Sequence, residues 1–326
     1  MNFQLVRLRF RQPLHLSRGK LNTYESSEHT LHSDTLQAAL FVCALQLYNE
    51  TTALDFQKKV IISSAFPFDE EGEWLPRPLH LRLDDDPDTR KELKKVRYLK
   101  KTHFEKVLRG VKPTAAELLD DNGIAIQPKI WKEDVTQRVL IDRVNAGSTP
   151  FYLEKLYPVN RHEDRGLYVL IQNNGFAKLK NLFRLLGDNG IGLQRSLGNG
   201  TFDIEKLEIE DCSFNLPDTP SAWVNLSLYR PEDETEVGKI QFQDSQYQLL
   251  KRGGWLSSPD DTRHMSLRKK SVLMFSEGSV LVFGDGEAGG FVRGKMEDLD
   301  PREDVSHPVY RDGRGIFLPM IFKNGN

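Results

Sequence analysis

The sequence predicts an α+β fold: a split β–α–β sheet of ferredoxin-like type, followed by a smaller second domain of the same general class. Three observations carry this. The first ten residues alternate with a period of two, and an apolar helical run and a second extended run follow them. A charged stretch then interrupts the pattern. Beyond it the strand, helix, strand order repeats, and the last third of the chain is mainly strand-like.

Val6, Leu8 and Phe10 alternate with Arg7, Arg9 and Arg11, which gives one apolar face and one face of three guanidinium groups. The basic face is either an ordinary solvated sheet face or an anion-binding one. A loop rich in His, Ser, Arg and Gly spans 13–30. Asp34 is the expected N-cap of the next helix, with Gln37 three residues on. Leu36, Ala39, Leu40, Cys43, Ala44 and Leu47 recur at helical spacing. The second strand is expected over Lys59–Phe66.

Residues 84–127 read as the start of an insertion extending to about 150. It opens on Asp84, Asp85, Asp86 and Asp88, and 90–112 then holds ten Lys or Arg against two acids. That bias marks either a solvated helical face or a polyanion contact. Extended chain is expected over Gln127–Leu140. Leu167–Gln172 is the next strand. Phe176, Leu179, Leu182, Phe183 and Leu186 form a helical stripe closed by Gly187, and Thr201–Ile209 is extended. Ser213–Pro220, with two prolines, is a linker. Strands are then expected over Ala222–Tyr229, Val272–Phe275, Ser279–Phe283, Gly290–Lys295 and Gly315–Phe322. The expected domains are 1–212, carrying the insertion at about 84–150, and 213–326.

The chain has 326 residues, 45 Lys or Arg, 47 Asp or Glu and a net charge of −2. That balance excludes a generally basic nucleic-acid coat and leaves room for a local basic track. The two cysteines, Cys43 and Cys212, have no C-x-x-C partners, so a thiolate zinc site or redox motif is excluded. No apolar run approaches the roughly 18–20 residues of a membrane span, and a cytoplasmic protein without membrane contact is expected.

The most informative motif is the loop 187–200, with five glycines. Glycines allow positive φ and close backbone approach, and exposed N–H groups then face phosphates. Arg195 adds a phosphate-matching fork and Ser196 a hydroxyl. The loop is neither a P-loop, since Leu193 and Gln194 follow Gly192, nor a dinucleotide fingerprint, since position 195 is Arg; it also follows a helix. Gly284–Gly289 satisfies G-x-G-x-x-G literally, but a strand follows it, so it reads as a hairpin loop. His15, beside Ser17 and Arg18, is a candidate for acid–base chemistry on RNA. His29, His32 and Asp34 do not have a recognised zinc spacing.

Gly190-Ile-Gly-Leu-Gln-Arg-Ser-Leu-Gly-Asn-Gly200 resembles the glycine-rich loop of the RAMP proteins of CRISPR systems. Other blocks agree in order: Pro13-Leu-His-Leu-Ser-Arg-Gly19, Leu31-His-Ser-Asp-Thr-Leu36, Asp142-Arg-Val-Asn145, Phe151–Leu156, Lys269–Ser279 and His307–Tyr310. Together they resemble the family of fourth Csm subunits of type III-A effector complexes.

The resemblance implies two ferredoxin-like, RRM-like domains, a glycine-rich loop in the first and a β-hairpin thumb around 131–151. It implies a non-catalytic subunit, without cofactor or metal, that caps the 5′ repeat-derived tag of the guide RNA (crRNA). The expected partners are the large palm-domain subunit that makes cyclic oligoadenylate, the backbone RAMP subunit and, in the assembled complex, target RNA. The RNA-binding residues it points to are His15, Ser17, Arg18, Gly19, Ser33, Asp34, Arg143, Asn145, Gly190, Ile191, Gly192, Arg195, Ser196, Gly198, Asn199 and Gly200. The competing readings are a guide-processing endoribonuclease using His15 and a small-nucleotide enzyme using the glycine loop.

Overall fold

The computed structural model describes residues 2–17, 24–83, 87–142, 144–145, 147–159, 164–204, 210–256, 267–284, 291–300 and 308–322. The chain opens with β1 (Asn2–Phe10), whose alternation sets the architecture. Val6, Leu8 and Phe10 join one apolar core, while Phe3 and Leu5 join another on the opposite face. Arg7 and Arg9 share the Phe3 face. Their guanidinium groups lie over the Phe68 ring, at 5.4 and 5.6 Å, and pair with Glu73 and Asp164. Arg11 approaches Asp188 and Asp203. The arginine face is therefore committed to acids of the same chain.

Two helices follow, α1 (Ser33–Leu47) and α2 (Glu50–Lys59). His32, not Asp34, occupies the N-cap position, and its side chain makes no cap hydrogen bond. Asp34 lies in the first turn, turned inward onto two arginines described below. The expected single strand 59–66 is two: β2 (Val60–Ile62) and β3 (Phe66–Asp69), which both pair with the later strand Gly166–Asn173. Ile62 faces Ile171 and Phe66 faces Tyr168, so the early strand carries one residue more than its partner between these pairs. At this bulge Ser64 N–H bonds to the Leu226 carbonyl, and Ala65 N–H to that of Leu31.

β4 (Gly72–Pro76) forms a hairpin with β3, and α3 (Arg90–Leu93), β5 (Tyr98–Lys100), α4 (Lys101–Leu108) and α5 (Ala115–Leu118) follow. The first part of the expected insertion is thus built into the fold. β5 extends the main sheet beyond β4, and Phe104, Val107 and Leu108 of α4 are buried in the second core. The lysines and arginines of 90–112 lie mainly on the outer side of these short elements, because the opposite side supplies the apolar contacts.

The second part of the expected insertion does project. β6 (Trp131–Ile141) and β7 (Ser148–Pro158) form an antiparallel ladder from Trp131 opposite Pro158 to Ile141 opposite Ser148. At 3.3 Å per residue its eleven-residue strands reach about 36 Å. Leu153 and Leu156, near the base, are buried, whereas nearly all of β6 is exposed.

β8 (Gly166–Asn173) runs through the centre of the sheet, and α6 (Leu179–Asn189) covers it with α1. α6 ends at Gly190 (φ +71°), three residues beyond the expected stop at Gly187. Gly187 is internal to the helix; a Cβ there would lie 2.5 Å from the Phe202 carbonyl oxygen. β9 (Phe202–Asp203) and β10 (Glu210–Ser213) both pair with β1. Residues 205–209 of the expected strand 201–209 lie outside the described residues. Among the described residues the main sheet has eight strands in the order β10-β1-β8-β3-β4-β5, with β2 on β8 and β9 on β1, all antiparallel.

The C-terminal part contains β11 (Ala222–Asn225), α7 (Glu234–Lys239), β12 (Leu249–Arg252), β13 (Val272–Phe275), β14 (Val280–Leu281), β15 (Val292–Arg293), β16 (Met296–Asp298), β17 (Tyr310–Asp312) and β18 (Gly315–Met320). Four of these form a sheet in the order β14-β11-β18-β15. β15 is shorter than the expected 290–295 strand; residue 290 is outside the described set. Val224, Leu226, Ile316, Leu318 and Met320 pack into the same core as Phe3, Leu5, Tyr168 and Leu170. The small sheet therefore covers the face of the main sheet opposite α1 and α6.

Candidate nucleic-acid interface

The glycine loop is pinned to the exit of β1. Gly200 N–H bonds to the Pro13 carbonyl (2.8 Å) and Leu193 N–H to that of His15 (3.0 Å). Ile191, whose side chain is in the core, closes the loop by bonding Gly200 O (3.1 Å). A Cβ on Gly200 (φ +72°) would stand 1.8 Å from the Ile191 carbonyl oxygen, and one on Gly192 (φ +89°) 2.5 Å from that of His15. These glycines are needed because two backbone segments touch. Gly198 (φ +79°) faces open space and needs glycine for its dihedral alone. Asn199 is buried and donates to Gln194, itself left-handed at φ +59°. Arg195 and Ser196 are exposed on the 3₁₀ turn at the loop's shoulder.

Beside this loop opens a cleft of about 770 Å³. One wall is Leu16, Ser17 and the segment 28–35; Gly192 and Leu193 form its end. The opposite wall comes from the C-terminal part, with Lys251, Arg252, Trp255, Arg268, Lys269 and Arg311. Among the described residues the lining thus carries five Lys or Arg against one carboxylate, Glu28.

The floor is a buried charge network that ties the two walls together. Asp34, with no exposed side-chain surface, accepts two hydrogen bonds from Arg252 (Nε and Nη2, 3.0 Å each) and a third from Arg311. Arg311 also bonds the Gly253 carbonyl (2.7 Å). Next to it, His32 Nδ1 lies 2.8 Å from Glu277 Oε1, and its Nε2 is 3.4 Å from Glu28. Ser64 donates to Glu277 as well. Burial opposes both charges at the Asp34 site, but the two guanidinium groups outweigh it and hold the carboxyl far below the usual carboxylate range. Burial likewise opposes charging His32, yet Glu277 and Glu28 raise its pKa from 6.5 to about 10. Glu277 is held below its ordinary 4.5 against its own burial, by His32 and Ser64.

These shifts give a pH dependence. A raised histidine stabilises fully below its unfolded value of 6.5 and loses that contribution as pH climbs towards about 10. The depressed carboxylates stabilise fully above about 4.5 and lose it on acidification. The thermal midpoint is therefore expected to be highest between about pH 4.5 and 6.5 and to decline on the alkaline side. Calorimetry of wild type and His32→Gln from pH 5 to 10 checks this: the variant should lose most at pH 5–6 and converge on wild type near pH 10. Parallel profiles would remove His32 as the cause.

The expected RNA-binding residues fall into distinct settings. Ser17 and Gly192 line the cleft; Ser33 and Asp34 do not, although their neighbours His32 and Thr35 do. The side chains of Ser33 and Asp34 do not reach solvent: Ser33 Oγ accepts from Leu228 N–H (2.9 Å) and Asp34 holds its arginines. His15 is buried, donates from Nδ1 to the Glu154 carbonyl (2.6 Å), and has no hydrogen-bond partner at Nε2 among the described residues. Asn145 is exposed at the hairpin tip, where its Oδ1 accepts from Gly147 N–H (2.9 Å). Arg18, Gly19 and Arg143 lie outside the described residues.

Sequence reading did not single out Lys251, Arg252, Trp255, Arg268 or Arg311 as contacts. Lys251-Arg-Gly-Gly-Trp255 carried a usable signal, a basic pair, two glycines and an aromatic in five residues.

Residues 219–320 match the family model of the CRISPR Csm4 C-terminal domain. The Csm4 protein of Thermococcus onnurineus (strain NA1) is 27% identical over 278 residues, 79% of this chain and 80% of that protein. The Csm4 protein of Methanocaldococcus jannaschii is 23% identical, with 100% of this chain and 99% of that protein covered. Among solved structures, the fold is similar to a chain of the Csm1–Csm4 cassette in complex with cA4 (TM-score 0.63, 20% identity, 100% of both chains). It is also similar to a chain of the Csm3–Csm4 subcomplex of the type III-A interference complex (TM-score 0.61, 16% identity, 98% and 99% covered). Among the described residues no helix is long and apolar enough to cross a membrane.

Proposed function

We infer that this chain, which belongs to the Csm4 family of type III-A CRISPR effector subunits, holds the 5′ repeat-derived tag of the guide RNA in the cleft beside its glycine loop. The observation that carries this is the cleft's lining: beyond Arg252 and Arg311, which hold Asp34, its described residues present Lys251, Arg268 and Lys269 against the carboxylate of Glu28, although the whole chain has a net charge of −2. A single strand needs such a local track, because phosphate contacts supply most of the affinity and open walls leave bases accessible.

The chain bridges the palm-domain subunit that makes cyclic oligoadenylate to the backbone RAMP subunit; its likeness to chains of a Csm1–Csm4 cassette and of a Csm3–Csm4 subcomplex supports this. The β6–β7 hairpin is the thumb that meets the guide where tag passes into spacer, close to target RNA in the assembled complex. Residues 1–212 and 213–326 are two ferredoxin-like units of one cytoplasmic, non-catalytic subunit without cofactor. Of the expected contact residues, Ser17, the glycine loop, Arg195, Ser196 and Asn145 meet RNA directly. Ser33 and Asp34 act through the groups they hold. The burial of His15 and the engagement of its Nδ1 by a backbone carbonyl support positioning of the loop over the endoribonuclease alternative.

Arg195 is the exposed phosphate contact of the loop. Arg195→Ala should weaken binding of a tagged single-stranded RNA and lower the slope of log K against log salt by ~0.7, one single-strand phosphate. Filter binding from low to moderate salt measures it. An unchanged slope would falsify Arg195 as a phosphate contact, and metal-independent cleavage of repeat RNA lost in His15→Ala would return the nuclease reading.

A further inference from the structure

Trp255 is 41% exposed, whereas Trp74 and Trp223 are 2% and 6% exposed in the cores. It stands on the wall of the cleft and not on a convex surface. A rigid support holds it there. The β12–β13 ladder continues beyond Arg252 through Lys269 N–H to Gly254 O (2.9 Å), the bridge between Trp255 and Arg268, and Leu256 N–H to Leu267 O (2.9 Å). Gly254 (φ +132°) makes the turn of backbone that sets the indole out from the strand. The Arg268 guanidinium carbon lies 5.5 Å from the indole centroid. Lys251, Lys269 and Arg311 line the same cleft.

An aromatic ring this open, on a concave wall among cations, matches the pairing that single-stranded nucleic acids require: a π-face for a base and charges for the flanking phosphates. We propose that Trp255 is the stacking platform for one splayed base of the RNA strand in the cleft, with Lys251, Arg268 and Lys269 placed for its neighbouring phosphates. This rests on the tag-binding reading and deepens it. Stacking accepts any base, so Trp255 fixes where a nucleotide sits and leaves base identity to other contacts.

The test uses the full chain and fluorescein-labelled single-stranded RNAs, one carrying the tag and one scrambled. Trp255→Ala should weaken binding about tenfold or more, with an unchanged thermal midpoint, and Trp255→Phe should recover most of the loss. A scan of single abasic sites should find one position at which wild type and Trp255→Ala bind alike, because the platform then has no base to hold. Equal affinity of wild type and Trp255→Ala on base-complete RNA would overturn the proposal, including when capture of a partner subunit is lost instead; Trp255 would then be a protein contact. Equal binding of tagged and scrambled strands would refute tag recognition, while the abasic scan would still decide the platform. Wild type that binds neither strand would end both.

Discussion

Asp34→Ala should destabilise the protein by about 3–5 kcal/mol, the usual cost of stripping one partner from a buried ion pair. The carboxylate has no exposed surface and receives three guanidinium hydrogen bonds from Arg252 and Arg311. Without it, two cations stand side by side, each mostly buried, with 15% and 13% of the side chain exposed. Chemical denaturation of wild type and variant measures the loss. Replacing all three together, Asp34→Leu with Arg252→Met and Arg311→Met, should recover much of the stability, since the cost lies in unpaired charge more than in missing contact. A loss in Asp34→Ala below about 0.5 kcal/mol, the range of ordinary surface substitutions, would refute the clasp as a stabilising element.

Gly200→Ala and Gly198→Ala should separate by a wide margin, although both glycines have positive φ in the same loop. At 198 the methyl group enters open space, and only the left-handed conformation is penalised, by about 1–2 kcal/mol. At 200 it would stand 1.8 Å from a backbone carbonyl oxygen, so Ile191 or the loop must move. Ile191 is a core residue, and Gly200 N–H makes one of the bonds that hold the loop to the β1 exit. Gly200→Ala should therefore lower the thermal midpoint further than Gly198→Ala and weaken RNA binding at least tenfold, as expected for loss of ~1.4 kcal/mol or more of contact energy. Melting curves and anisotropy titrations on the pair check it; matching effects would show that the close approach does not govern the loop.

The elements legible in the sequence were those whose period matched their burial. β1 buries Val6, Leu8 and Phe10 as its alternation predicts, α1 and α6 bury one continuous side, and Val272–Phe275 is found with the expected bounds; the second core, on the Phe3 and Leu5 side of β1, was hidden by Arg7 and Arg9. Short elements with little period of their own, such as α3, β5 and α5, were not legible, because they take their structure from packing against the sheet. The same applies to 84–127, where charge density masked Phe104, Val107 and Leu108 as core. In the loop, composition pointed to phosphate contact. Four of its five glycines, at 187, 190, 192 and 200, have an internal reason: a neighbouring backbone carbonyl lies 2.5 Å or closer to the missing Cβ. The sequence makes Asp34 a cap because cap residues and buried ion-pair carboxylates look alike in one dimension. The partners that decide, Arg252 and Arg311, lie more than two hundred residues away.

The β6–β7 hairpin joins the body at one end only, and that makes it a mechanical lever. The arm leaves the body beyond Phe151, whose ring meets Tyr24 at 5.7 Å; the pairs of Val139, Leu140 and Ile141 and the turn project past it. The base is where Trp131 meets Phe10 (5.3 Å between rings) and Leu156 meets the β1 exit through paired hydrogen bonds with Leu14. The glycine loop is fastened to the next residues along, Pro13 and His15. The arm and the glycine loop thus share one anchor, the exit of β1, and a displacement of that anchor carries both.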